Sequence, residues 1–401
     1  MKNNILSCVS AFTLGLAVFS ASAGVIYPAT DADKTVFGAS DEDVKVALKG
    51  VDTSKGAYVR LSFTGRATKP GRLVGARGLK GEEKLAMSWD AIRRLENPEK
   101  QEYCYYIAPG ADGVRLSVQS LSELKDFKAE LITEAEAKAW SDNLWKEVNA
   151  GDVLSQALSD YPIPDDPFAK LPRFKAALKD GKPFKVHFLG DSISQDTYFS
   201  LVTAQIRALF PKANLDFSIY YEGATGCSVY AGKYEKAVGA FKPDLLVICG
   251  LDNFRGNGFK NDAEAAAALK KVIVEAKKNG IEILYMPPAH SVDSRLLKDE
   301  GPLWSAGGTG WDAPWGKPCE KAKFDPGAKD FWTAQCYKPE ARNAVLKETD
   351  VPCWDIYPQS YDFVARSGRP WGWFNRDCVH NNDRGRTLIA HLLLEYFKRA
   401  K

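Results

Sequence analysis

Ser192 lies in the run Gly190-Asp191-Ser192-Ile193-Ser194, directly after the apolar stretch Lys185 to Leu189. A serine placed where a strand gives way to a helix exposes its hydroxyl at the sheet edge. Its own N–H then points out of the helix start, so one residue can both attack a carbonyl and help to bind the resulting oxyanion. Ser and Asp are also favoured at such positions merely as helix caps, so the chemistry depends on partners. A serine nucleophile needs a base, and the chain has four histidines. His187, between Val186 and Phe188, reads as a packed strand residue, and His391, beside Leu392, Leu393 and Leu394, reads as helix packing. His290 ends another apolar run and could line a pocket. His380 is the best base, because Asp377 three residues earlier on the same loop can accept its Nδ1–H and leave Nε2 facing the serine.

The elements that must position these residues fall into two rhythms. From Asp43 to Thr133 the apolar period is two, as in Val59, Leu61, Phe63 and in Tyr103, Tyr105, Ile107 and Val114, Leu116, Val118. With turns such as Lys69-Pro70-Gly71 between them, these are half-buried strands of an antiparallel β-sandwich. This region has no histidine and is either a sugar-binding module or a structural platform. A helix over Glu134 to Val148 follows, then the Pro- and Asp-rich Tyr161 to Pro167, the expected domain boundary. Beyond it, strands at Lys185–Leu189, Leu215–Tyr221, Leu245–Cys249, Ile281–Met286 and Val351–Ile356 alternate with helices. The helices are Tyr198–Leu209, Lys233–Phe241, Ala263–Lys278, Pro339–Glu348 and Arg384–Lys398. Such alternation gives a parallel sheet covered on both faces, with ligands at the carboxyl ends of its strands.

The segments after those strands are Gly190 to Ser194, Gly223-Ala224-Thr225-Gly226, Gly250-Leu251-Asp252-Asn253 and, before the last helix, Asp377-Cys378-Val379-His380. Taken together and in this order they resemble the GDSL, or SGNH, hydrolase family over roughly 230 residues. The resemblance implies an SGNH-type three-layer α/β/α domain with a parallel sheet, here preceded by a smaller antiparallel β-sandwich. It implies a Ser192, Asp377, His380 triad and an oxyanion hole made by the Ser192 N–H, a glycine N–H matched by Gly226, and an asparagine side chain. The third block departs from the family's Gly-x-Asn-Asp. Asp252 stands where the donor should be, and an ionised carboxylate has no hydrogen to give. Either Asn253 takes the role through a one-residue shift, or the third donor is missing. Arg255 would shape the pocket mouth.

Seven of the ten tryptophans fall between 304 and 373, and Trp371 and Trp373 are the best placed to meet a sugar ring. The stretch from 290 to 338 shows no periodicity, and no long apolar lid for a lipid substrate is evident. The expectation is a serine esterase that removes acetyl or similar small acyl groups from a polysaccharide. A polysaccharide O-acetyltransferase and a non-catalytic carbohydrate-binding protein with the same fold are the alternatives.

Composition agrees with a folded globular chain: 401 residues, 45% hydrophobic and 26% charged, long enough for two cores. The net charge of +3 implies no nucleic-acid partner. Residues 1–23 open with Lys2, run apolar from Ile5 to Phe19 and end Ala21-Ser22-Ala23, the pattern of a signal peptide, and the apolar run is shorter than the roughly 20 residues that a bilayer span needs. A secreted or periplasmic location follows as the expectation. The expected layout is 1–23 signal peptide, 24–150 sandwich, 151–170 linker and 171–401 hydrolase domain. No cofactor is required. No cysteine pair has C-x-x-C spacing, which argues against zinc, and Cys319–Cys336 and Cys353–Cys378 are candidate disulfides. Nothing in the sequence sets an oligomeric state.

Overall fold

Two-residue periodicity becomes two four-stranded antiparallel sheets. The computed structural model describes residues 24–27, 42–68, 72–93, 95–118, 122–223, 225–249, 262–287, 289, 339–369, 371–376 and 380–401. The expected signal segment, 1–23, lies outside them. The strands are β1 (Gly24–Tyr27), β2 (Glu42–Ala47), β3 (Ala57–Ala67), β4 (Leu73–Lys80), β5 (Glu83–Ala91), β6 (Glu99–Ile107), β7 (Gly113–Val118) and β8 (Ser122–Ile132). One sheet runs β1-β8-β3-β6 and the other β2-β7-β4-β5. Val59, Leu61 and Phe63 of β3, Tyr103, Tyr105 and Ile107 of β6, and Leu116 and Val118 of β7 meet between the sheets. These are the alternating positions read from the sequence.

The opposite face of the first sheet is covered at one end. Tyr58, Cys104, Tyr106 and Ile132 join a second core that continues into the rest of the molecule. Tyr106 packs on Tyr198 and Phe199, at centroid distances of 5.6 and 6.4 Å. Helix α1 (Glu134–Val148) begins with a capping box, in which the Thr133 hydroxyl accepts the Glu136 N–H and the Glu136 carboxylate accepts the Thr133 N–H. The segment 151–170, expected to be a linker, holds helix α2 (Val153–Asp160). Its Val153, Leu154 and Ala157 are buried in this same core, together with Ile163, Phe168 and Leu171. Apolar spacing over 153–157 outweighs the Pro- and Asp-rich turn after it.

Helix α3 (Pro172–Asp180) leads into the parallel sheet of β9 (Pro183–Gly190), β10 (Asn214–Tyr221), β11 (Leu245–Cys249) and β12 (Glu282–Met286), ordered β10-β9-β11-β12. Successive β11 residues point to opposite sides. Leu245, Val247 and Cys249 face the core shared with the sandwich, and Leu246 and Ile248 face a third core. Around the sheet lie α4 (Ser192–Tyr198), α5 (Val202–Leu209), α6 (Cys227–Gly232), α7 (Tyr234–Ala237), α8 (Asp262–Lys278), α9 (Pro339–Glu348), α10 (Tyr357–Arg366) and α11 (Asp383–Lys398).

Three expected elements differ. The helix expected over 198–209 starts earlier and breaks at Leu201, whose φ of +63° interrupts it. The helix expected over 233–241 is α7 followed by a short 3-10 turn, Gly239–Phe241. The strand expected at 351–356 is reduced to one bridge, Tyr285 to Cys353, with hydrogen bonds from Tyr285 N to Pro352 O (3.0 Å) and Trp354 N to Tyr285 O (2.9 Å). Pro352 has no N–H for a longer ladder, and Asp355 accepts the Tyr357 N–H at 3.2 Å as α10 begins. Among the described residues no helix is long and apolar enough to cross a membrane.

Candidate active site

The first strand of the parallel sheet, β9, is followed by β10 on one side and β11 on the other. All three strands are parallel, so the order in which the chain adds strands reverses at β9, and in such sheets this switch point, beyond the strand's carboxyl end, is where ligands bind. Ser192 stands at that end. Asp191 caps α4: its carboxylate accepts the Ile193 N–H at 2.9 Å, and its carbonyl accepts the Ser194 N–H at 3.2 Å and the Ser194 hydroxyl at 2.6 Å. The turn into the helix is close because Gly190 has no side chain. A Cβ there would lie 1.9 Å from the Cys249 carbonyl oxygen and 2.5 Å from Ser194 Cβ.

The Ser192 hydroxyl meets His380 Nε2 at 2.8 Å, across 188 residues of chain. Both side chains are half-buried, so the pair is open to a ligand yet partly shielded from water. His380 comes from the segment before α11, which is tied on both sides. The Arg376 N–H donates to the His380 carbonyl (3.0 Å), Asn375 and Asn381 form an antiparallel bridge, and the Asn382 N–H donates to the Phe374 carbonyl (2.9 Å). Asn382 also caps α11 by accepting the Arg384 and Gly385 N–H groups at 3.0 and 3.2 Å. Gly385 is required there, since a Cβ would lie 2.2 Å from the Phe374 carbonyl.

Gly226 is the N-cap of α6, just past the loop after β10. That loop is fixed by a residue not singled out in the sequence. The Tyr230 hydroxyl accepts the Glu222 N–H at 3.1 Å, lies 2.8 Å from the Thr225 hydroxyl and donates to the Gly190 carbonyl. Tyr230 is fully buried, and burial pushes its phenol above the usual range. One hydroxyl thus ties the loop leading to Gly226 to the strand end that leads to Ser192. Its signal in the sequence was a tyrosine four residues after Gly226, one turn into the helix.

The remaining histidines have structural roles where they are described. His187 is fully buried, with Nδ1 2.8 Å from the Ser218 hydroxyl, Nε2 2.8 Å from the Ala237 carbonyl and its ring stacked on Phe241 at 4.1 Å. Burial lowers its pKa to about 4. His391 stacks on Trp145 at 4.2 Å. Trp373, expected to face a sugar, is half-buried and carries Arg384 at 4.3 Å and Arg369 at 5.0 Å over its ring, with Phe374 edge-on at 4.8 Å. Trp371 begins the same 3-10 turn, Trp371–Trp373. Asp377, Asn253 with Asp252, Arg255 and His290 lie outside the described residues, as do Cys319, Cys336 and Cys378 of the candidate disulfides. Cys104 is a buried thiol whose pKa burial raises.

No family model and no curated protein matches the sequence. Among solved structures the chain is similar to a two-domain esterase active on acetylated mannans, with 16% identity, a TM-score of 0.38 and coverage of 58% of this chain and 53% of that one. It is also similar to an acetyl xylan esterase (18% identity, TM-score 0.38, 53% of this chain and 98% of that one). A third is a protein described as a GDSL-like lipase from Parabacteroides merdae (15% identity, TM-score 0.38, 54% of this chain and 96% of that one). The chain thus spans about half the length of the two-domain esterase.

Proposed function

We propose that the protein is a serine esterase of GDSL/SGNH type that releases acetyl or similar small acyl groups from a polysaccharide. The observation that carries the reading is the 2.8 Å approach of His380 Nε2 to the Ser192 hydroxyl at the switch point of a parallel sheet. In the proposed reaction Ser192 Oγ attacks the ester carbonyl carbon while His380 Nε2 takes its proton. The tetrahedral oxyanion is held by the N–H groups of Ser192 and Gly226, with Asn253 as the third donor. The C–O bond to the sugar then breaks, and His380 returns the proton to the leaving hydroxyl. Water, deprotonated by His380, cleaves the acyl-serine to release acetate and restore the serine. Asp377 is proposed to hold the Nδ1–H of His380. An exported protein with its first 23 residues removed suits a polymeric substrate outside the cytoplasm.

The test is acetate release from acetylated xylan, mannan, pectin and peptidoglycan, with wild type beside Ser192→Ala. Release that disappears in the variant supports the serine mechanism and names the substrate class. No release from any of them, and no turnover of a small aryl acetate, refutes the esterase reading.

A further inference from the structure

The segment that carries His380 is fastened to two places, and neither belongs to the proposed triad. The first is the nucleophile's own helix. Asp196 of α4 accepts the Asn381 N–H at 2.7 Å with one carboxylate oxygen and Arg376 Nη1 at 3.1 Å with the other. The second is strand β5 of the sandwich. The Trp89 carbonyl accepts Arg376 Nη1 at 3.0 Å and Arg386 Nη1 at 2.8 Å, and Asp90 Oδ2 accepts Arg386 Nη2 at 2.5 Å. Just past β5, Arg93 donates to Asp383 at 2.7 Å. These are interior groups: the side chains of Asp90, Asp196, Arg386 and Arg376 are 0, 3, 4 and 9% exposed. Arg376 Nη1 also donates to the Asn381 carbonyl at 3.0 Å, so a single nitrogen joins β5, α4 and the residue next to His380.

We infer that Arg376, Asp196 and the Trp89–Asp90 edge of β5 are positioning residues for the His380 base, and that the sandwich is a structural part of the active site. The inference rests on the reading of Ser192 and His380 as nucleophile and base. Four anchored positions, Arg376, Asn381, Asp383 and Arg386, bracket His380 within ten residues, and three of the four reach the sandwich. Such anchoring fixes where Nε2 sits relative to a serine whose helix shares the Asp196 anchor. A free loop would lose the near-attack geometry, and displacement of about 1 Å can cost on the order of 10²-fold in rate. Of the two roles open to the sandwich from sequence, this arrangement supports that of platform, because the Trp89–Asp90 edge of β5 holds the segment that carries His380.

The test uses the full chain with Arg376→Met, Arg376→Lys and Asp90→Asn. Methionine keeps the bulk and removes every donor, lysine keeps three donors on one nitrogen, and Asp90→Asn keeps an acceptor for Arg386 without the charge. On an aryl acetate, Arg376→Met is expected to lower kcat about 10- to 100-fold with KM within about twofold, and Arg376→Lys to recover a large part of the loss. The imidazole Hε1 resonance of His380, identified by its change in Ser192→Ala, is expected to shift or broaden in Arg376→Met and in Asp90→Asn. Far-UV circular dichroism checks that each variant folds, and Asp90→Asn carries the test if Arg376→Met does not. Unchanged kcat together with an unmoved His380 resonance in the folded variants overturns the inference. Should the wild type hydrolyse no ester, the esterase reading fails by itself, and the resonance still decides whether these residues position His380.

Discussion

His391 gives a prediction whose size follows from its surroundings. It lies on α11 with its ring stacked on Trp145 of α1 at 4.2 Å and 5°, is 8% exposed, and its Nε2 is buried without a hydrogen-bond partner. Burial lowers its pKa from 6.5 to about 4; nearby Lys398 and Lys138 push the same way, and Asp142 opposes them. The folded pKa is below the unfolded one, so the fold holds the neutral ring. Stability from this group is fully present above pH 6.5, is lost as pH falls towards 4, and levels off below that. With these two pKa values the loss is about 2 kcal/mol at pH 5 and about 3 kcal/mol below pH 4.

His391→Phe keeps the stack, loses no Nε2 hydrogen bond and removes the proton-binding site. The measurement is urea unfolding of both proteins at pH 7.5, 6.5, 5.5 and 5.0. The free-energy difference between variant and wild type should grow in the variant's favour by about 2 kcal/mol across the series. His187, also lowered to about 4 by burial, is common to both proteins and cancels. A difference that stays constant within about 0.5 kcal/mol, or a His391 resonance that titrates near its unperturbed value of about 6.5, refutes the reasoning.

Three further outcomes are expected. Gly190→Ala places a Cβ 1.9 Å from the Cys249 carbonyl and must part β9 from β11, so it should cost about 3 kcal/mol or more by urea unfolding and abolish turnover. Tyr230→Phe deletes the hydroxyl that joins Gly190 to Glu222, and should lower stability by about 1–3 kcal/mol and reduce kcat on an aryl acetate with KM little changed. Thr133→Ala removes the N-cap of α1 and should cost about 1 kcal/mol without affecting turnover.

The meeting of Ser192 and His380 was legible because two short local patterns point to it, a serine at a strand-to-helix turn and a D-x-x-H before a terminal helix. The inward faces of β3, β6 and β7 were legible because one apolar face leaves a two-residue period. Other elements lack that signal. In β4 the register slips between Arg77 and Leu79, which breaks the alternation, and β8, Ser122–Ile132, includes Glu123, Lys125, Asp126, Lys128 and Glu130, which mask its pairing. The strand expected around Pro352 had the apolar residues but not the donor. Tyr58, Cys104 and Tyr106 look like the solvent-side phase of half-buried strands, and only the second body packed on that face makes them core.

The network around His380 marks the sharper limit, because Asp90 and Arg386 are 296 residues apart and no spacing rule joins them. A signal was nonetheless present in each half. Arg386 stands on the buried face of α11, which runs on through Leu388, Ile389 and Leu392, and Asp90 falls in phase with buried Ser88 on β5. A charge on a buried face must meet its opposite, since an unpaired buried ion costs several kcal/mol. Two such charges of opposite sign, one in the sandwich and one six residues after His380, are therefore a reason to expect the two parts to close on each other there. By the same logic the partner of Arg376, which lies within five residues of His380, is sought among buried acids, and Asp196 on the helix that begins at Ser192 is that acid. Read this way, buried charges are constraints on tertiary assembly, and here they converge on the segment that brings His380 to Ser192.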